Sequence, residues 1–183
     1  MNYELLKFWF DEVGYKPADP WAKVVHESLF EKRFDSDGRP LPNLVVLAGG
    51  EQSGKSFLGG NHVFATHLYG KIFWIVGERY EDSRYEFQYL TEAAVNAGVM
   101  SPANVHFPLS LAHPCTATFN NGAMVRTMSS SDASTLASQS PDGILMVEAG
   151  RQTYQAFRVL WTRAQHATAW ILVSGTFESY KGR

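Results

Sequence analysis

Residues 43–69 constrain this chain more than any other stretch. Gly49-Gly50-Glu51-Gln52-Ser53-Gly54-Lys55-Ser56 matches G-x-x-x-x-G-K-[ST] in full. Before it, Asn43–Ala48 is a short Val- and Leu-rich run that reads as a strand buried on both faces. After it, a helical stretch is predicted from Lys55 to about Tyr69, stopped by Gly70. Glycines in such a strand–turn–helix unit let backbone N–H groups turn inward around phosphate oxygens, and the helix N-terminus adds its positive end. The pattern therefore predicts a nucleotide-binding loop over Gly49, Gly50, Glu51, Gln52, Ser53, Gly54, Lys55 and Ser56. In it Lys55 neutralises the β- and γ-phosphates, and Ser56 ligates Mg²⁺ carried in with ATP.

The remaining pattern predicts what the loop is mounted on. Lys71–Val76, Ile144–Val147 and Ala169–Val173 read as further buried strands. Phe87, Leu90, Ala94 and Ala97 recur at helical spacing, with Gly98 where a left-handed cap belongs. Arg151–His166 reads as another helix. Asn121-Gly122 between two short runs predicts a β-hairpin across Thr116–Met128, followed by a Ser129–Ser131 loop and a short helix from Asp132. Upstream, Asn2–Val13 reads as a helix ended by Gly14, and Asp19-Pro20 as the start of a second running to about Phe34. Strands alternating with helices give an α/β fold: a P-loop NTPase with a mainly parallel central sheet covered by helices on both faces, plus a hairpin insertion near 116–128.

Hydrolysis needs a group that orients or deprotonates water, usually carried by a neighbouring parallel strand. Ile144-Leu145-Met146-Val147-Glu148 ends an apolar run in a carboxylate, which would open onto the crevice at the C-terminal ends of the strands. Glu148 is therefore the candidate catalytic base, with Lys55 beside it as the catalytic cation. An ordinary strand-end acid is the competing reading. Position 147, where a metal-holding Asp often precedes such a Glu, is Val. Asp142 lies before the strand, at the wrong end for the same task.

Composition narrows the class. With 183 residues the chain is predicted to be one domain, and 16 Lys plus Arg against 18 Asp plus Glu exclude a polycationic DNA-coating protein. No apolar run approaches the roughly 20 residues that span a bilayer, and Glu4 and Lys7 interrupt the N-terminal apolar stretch, so neither a membrane span nor a signal peptide is expected. The single Cys115 excludes an internal disulfide and fits a reducing compartment. A soluble intracellular protein is expected.

Several segments in order resemble the ATPase domain of tailed-phage large terminases, the motors that pump DNA into procapsids. Tyr15-Lys16-Pro17 with His26-Glu27-Ser28 is similar to the segment that the family places before its phosphate loop. Gly77-Glu78-Arg79-Tyr80, continuing through Arg84-Tyr85-Glu86-Phe87 to Tyr89-Leu90, resembles its G-x-x-Y…R-x-E-F-x-Y-L stretch. Phe119-Asn120-Asn121-Gly122-Ala123 and Ser130-Ser131-Asp132 resemble its hairpin and serine-rich loop, and Ser174-Gly175-Thr176 its coupling motif. The resemblance covers about Tyr15 to Phe177. It implies an ATP-hydrolysing motor driving double-stranded DNA packaging, with Ser174, Gly175 and Thr176 sensing the γ-phosphate. It also implies a ring homo-oligomer, a portal and a small terminase subunit as partners, and the host cytoplasm as location. The family carries Arg just before the loop glutamine where this chain has Glu51. The chain stops at Arg183, so residues 1–183 are expected to be a single ATPase domain without the family's nuclease domain, residues 1–42 forming a helical segment that leads into the core.

Such motors commonly take an arginine finger from a neighbouring subunit. Arg126, on the hairpin, and Arg79, in the loop after a parallel strand, are the candidates by location; Arg84, Arg151 and Arg158 are further cations, the last two seven apart on one predicted helix face. The longest basic run is Lys32-Arg33, so DNA binding by the isolated chain is expected to be weak and salt-sensitive, multiplied by a ring. His62, His67, His106, His113 and Cys115 fit no common metal spacing, and read as structural or surface residues. Two other readings fit the same residues: a helicase- or recombinase-like ATPase core, and a nucleotide-binding assembly module that does not hydrolyse.

Overall fold

The computed structural model describes residues 24, 25, 28, 33, 34, 36–38, 40, 41, 43–50, 52–131, 135–164 and 169–176. In chain order these form strands β1 (Arg33–Phe34), β2 (Pro40–Leu41) and β3 (Asn43–Gly49), helix α1 (Lys55–Thr66), β4 (Ile72–Gly77), helix α2 (Arg84–Asn96), β5 (Val105–His106), β6 (Thr116–Thr118), β7 (Met124–Ser129), β8 (Gly143–Met146), helix α3 (Tyr154–Arg163) and β9 (Trp170–Thr176). The readings of Asn2–Val13, Tyr15–Pro17, Asp19-Pro20, His26-Glu27, Glu51 and the helix start at Asp132 lie outside the described residues.

One sheet dominates, with strand order β3-β9-β8-β4-β7-β6-β5. Its first five strands run parallel, and β6 and β5 continue it antiparallel. Strand β3, which leads into the predicted phosphate loop, therefore neighbours β9, while β8, which leads to Glu148, lies one strand further over. β4 shows why this sheet needs cover on both sides. Phe73 and Ile75 join the core under α1 and α2, whereas Trp74 and Val76 join a second core under α3. All four are at most 1% exposed.

Three expectations change in detail. β3 is an edge strand, and Val46 is 66% exposed, so it is not buried on both faces among the described residues. The helix predicted from Pro20 to about Phe34 covers helical Val24, Val25 and Ser28, yet Arg33–Phe34 pair antiparallel with Pro40–Leu41. Gly38, at φ 75°, takes the left-handed conformation that lets the chain fold back there. The hairpin exists, closed by Gly122 at φ 86°, but its second arm is a full member of the sheet: β7 runs parallel to β4 from Ile72↔Met124 to Gly77↔Ser129.

The hairpin tip also ties the helices down. Asn121 Nδ2 donates to the His67 carbonyl just past α1, and Asn120 Nδ2 donates to the Gly98 carbonyl just past α2. Gly98 itself is left-handed at φ 70°, as its capping role requires. At this same end of the sheet, where the parallel strands begin, Asp142 Oδ2 accepts from the amides of Lys71 and Ile72 at 2.7 and 3.1 Å, which is structural work away from the C-terminal strand tips.

Candidate nucleotide site

The loop between β3 and α1 turns through two left-handed residues, Gln52 at φ 58° and Gly54 at φ 80°. Gly49 is close-packed for another reason: a Cβ there would stand 3.1 Å from Ser53 Oγ. The first helical bond, Leu58 N–H to the Gly54 carbonyl, is 2.9 Å. Lys55 and Ser56 thus lie in the first turn of α1, where backbone N–H groups have no acceptor one turn back and can face an anion. Lys55 is buried, and its Nζ donates to the carbonyls of Gly49 at 3.0 Å and Gly50 at 2.7 Å and to Ser53 Oγ at 3.3 Å. The ammonium is thus held inside the loop it would serve, by neutral acceptors that a phosphate oxygen can replace.

Glu148 sits immediately beyond β8, at the same edge of the sheet. Its backbone is left-handed at φ 46°, ψ 51°, a conformation that costs a non-glycine residue about 1 kcal/mol or more and redirects the side chain as the chain leaves the strand. Thr176 Oγ1 donates to Glu148 Oε1 at 3.4 Å, and Ser174 Oγ donates to the Met146 carbonyl at 3.4 Å. In the parallel ladder Leu47 pairs Ser174, Ala48 pairs Gly175 and Gly49 pairs Thr176. Strand β9 therefore pairs with the strand leading into the predicted phosphate loop on one side and with the Glu148 strand on the other.

A pocket of about 420 Å³ opens here, lined by Gln52, Ser53, Gly54, Lys55, Ser56, Phe57, Tyr89, Glu148 and Thr176. The structure thus brings together most of the predicted loop, the predicted base and one coupling residue. Ser174 is buried beneath them. The arginines are not among the lining residues. Arg79 stands in the loop beyond the C-terminal end of β4, its amide on Asp82 Oδ2 at 2.8 Å and its guanidinium 72% exposed beside Glu81. Arg126 is exposed mid-strand, opposite Trp74. Arg151 and Arg158 do not share one helix. Gln152, extended at φ −91° and ψ 156°, separates the turn Ala149–Arg151 from α3. Arg84 Nη2 donates to the Pro108 carbonyl at 2.7 Å, with the guanidinium over the Phe107 ring.

His62 packs edge-on to Trp170, and His67 stacks on Phe119, so both serve the core. Burial pushes the His67 imidazole below its ordinary pKa, against the Phe64 carbonyl, which favours the protonated ring. Burial likewise raises the Cys115 thiol.

Three further contributors had been given no site role from the sequence, although Glu86 and Tyr89 fall in the stretch that resembles R-x-E-F-x-Y-L. Gln152 Nε2 donates to the carbonyls of Val76 and Val147, at 2.9 and 2.6 Å, stapling the ends of β4 and β8. Phe57 and Tyr89 meet edge-to-face at 5.4 Å on the pocket rim. Glu86 is the third, an acid only 2% exposed on α2. Burial raises its pKa most; the Ser56 hydroxyl opposes that, and Glu148 adds to it. Its signal was present: position 86 falls on the apolar stripe of 87, 90 and 94, where a charged residue is unexpected.

Several solved structures of phage large terminases share this architecture. A form of the Thermus phage P74-26 large terminase ATPase domain matches with a TM-score of 0.64 at 18% identity, over 91% of this chain and 67% of that one. The chain has the large-terminase ATPase fold. It shares that fold with the large terminase of another thermophilic bacteriophage (TM-score 0.57, 11% identity, 91% of this chain and 37% of that one). The same holds for the large terminase of bacteriophage HK97 (TM-score 0.58, 14% identity, 87% of this chain and 33% of that one). The second thermophilic phage's protein also has a structure in complex with ADP, with a TM-score of 0.54, 13% identity and coverage of 71% of this chain and 33% of that one. This chain thus spans about a third of the length of those last two terminases. No protein-family model matches the sequence, and no curated protein matches it. Among the described residues, no helix is long and apolar enough to cross a membrane.

Proposed function

We propose that the chain is the ATP-hydrolysing motor domain of a terminase that packages viral double-stranded DNA. The observation that carries this reading is the convergence of Lys55, Ser56, Glu148 and Thr176 on one pocket at the C-terminal edge of a parallel sheet. In it residues 49–56 cradle the triphosphate, and Lys55 leaves the Gly49 and Gly50 carbonyls for the β- and γ-phosphate oxygens. Glu148 orients the attacking water. Thr176, joined to Glu148, reports the state of the γ-phosphate to β9 and so to β3.

The large-terminase fold implies Mg²⁺ with the nucleotide, and the residues present fit it. The Ser56 hydroxyl lies on the first turn of α1, and the Glu86 carboxylate beside it is buried with Oε2 lacking a hydrogen-bond partner among the described residues. When bound, the ion neutralises charge on the β- and γ-phosphate oxygens.

In this reading the partners are DNA, further copies in a ring, a portal and a small terminase subunit, in the host cytoplasm. Arg79, exposed beyond β4 at the edge of the sheet that carries the pocket, is the finger offered to a neighbour; Arg126 lies further down the sheet. Val147 favours a second reading, a nucleotide-binding assembly module without hydrolysis. ATP turnover measured against protein concentration, with and without double-stranded DNA, separates the two. A steep rise with concentration and stimulation by DNA without strand separation is expected; no turnover at any concentration favours the assembly module.

A further inference from the structure

Val147 stands where a metal-holding carboxylate would precede Glu148, and it is 3% exposed within the core beneath α1 and α2. That end of β8 therefore offers a cation no oxygen from side chain 147. On α2, the adjacent helix, the opposite situation holds. Glu86 is 2% exposed, no ion pair to it is found among the described residues, and its Oε2 has no hydrogen-bond partner among them. A buried carboxylate left in that state costs several kcal/mol or more unless it is protonated or meets a cation.

Its position is fixed by the backbone. Ser56 and Gly60 are one turn apart on the same face of α1. A Cβ on Gly60 would lie 2.5 Å from the Glu86 carbonyl oxygen, so the two helices touch at Gly60 with nothing between them. That contact holds the Glu86 segment of α2 against the first turns of α1, where the Ser56 hydroxyl donates to the Glu86 carboxylate.

We propose that Glu86 supplies from α2 the carboxylate that Val147 cannot supply from β8, completing with Ser56 the divalent-cation site of the nucleotide pocket. The inference rests on the nucleotide-site reading above. It deepens that reading by naming a ligand from an element outside the loop and the strand tips.

The test uses the whole chain, with Mn²⁺ standing in for Mg²⁺ and ADP as the nucleotide. ADP affinity is measured in EDTA, and Mn²⁺ affinity in the presence of ADP is then read by electron paramagnetic resonance. Glu86→Gln is expected to keep ADP affinity in EDTA within about twofold while losing tenfold or more in Mn²⁺ affinity, in the range of lost metal-site partners. Adding Val147→Asp to that variant is expected to recover most of the loss, which no packing role for Glu86 would produce. Unchanged Mn²⁺ affinity in Glu86→Gln would overturn the inference while leaving the nucleotide site standing. A Glu86→Gln chain that does not fold would also overturn it, by showing that the carboxylate is a structural partner. Failure of the unaltered chain to bind ADP at all would instead overturn the nucleotide-site reading, and this inference with it.

Discussion

Thr176 Oγ1 stands 3.4 Å from Glu148 Oε1, joining the last residue of β9 to the residue just beyond β8. Because Gly49 is the ladder partner of Thr176, one hydroxyl links the proposed base to the strand that carries the phosphate loop. Thr176→Val keeps the shape and removes the donor. A lost hydrogen bond of about 1 kcal/mol that matters only for aligning the base corresponds to roughly fivefold in rate. Steady-state assays are expected to show turnover down by about that factor with ATP affinity within about twofold. Loss of affinity instead would place Thr176 in binding.

Helix contact at Gly60 gives a prediction with an unusual sign. Gly to Ala inside a helix normally stabilises by about 1 kcal/mol. Here the new Cβ would meet the Glu86 carbonyl oxygen at 2.5 Å, a backbone atom that cannot swing away. Gly60→Ala is expected to destabilise by about 1–3 kcal/mol, read as a lower denaturant midpoint at unchanged slope.

Acid should loosen the α1 end through His67. Its folded pKa is lowered by burial, so below the unfolded value of 6.5 the unfolded chain takes up a proton that the folded chain refuses. The stabilisation is complete above 6.5 and is lost as pH falls through the folded value. His67→Phe keeps a ring against Phe119 and cannot titrate. Thermal unfolding between about pH 7 and pH 5 should fall less steeply for this variant, by at most about 1.4 kcal/mol per pH unit.

Arg79 is proposed to act on a neighbour's nucleotide. Arg79→Ala is expected to lower turnover by a factor on the order of 10³, with ATP binding retained. Mixing it with Glu148→Gln protein, whose Arg79 is intact, should restore turnover in part. Full activity of Arg79→Ala alone would remove it from the site.

The parallel strands and the turn between β3 and α1 were legible because each is a local pattern: an apolar run, a glycine turn, a helix start. The place of Glu148 at the pocket was legible for the same reason, as the acid closing an apolar run. What could not be read locally is what depends on strand order. β9 between β3 and β8, and β7 as a sheet member beyond its hairpin, are set by long-range pairing that no short window contains. Glu86 belongs to both kinds. Its place on an apolar stripe was visible, but its meeting with Ser56 depends on two helices touching at Gly60. The edge position of β3, with Val46 exposed, likewise follows from topology and not from hydropathy.

Glu148 is the group on which the proposed hydrolysis turns. ATP binding and single-turnover hydrolysis are measured for the unaltered chain and for Glu148→Gln, which keeps size and polarity and removes the base. ATP is expected to bind both within about twofold, while hydrolysis by Glu148→Gln falls by about 10²-fold or more. Equal hydrolysis by the two proteins would contradict that role.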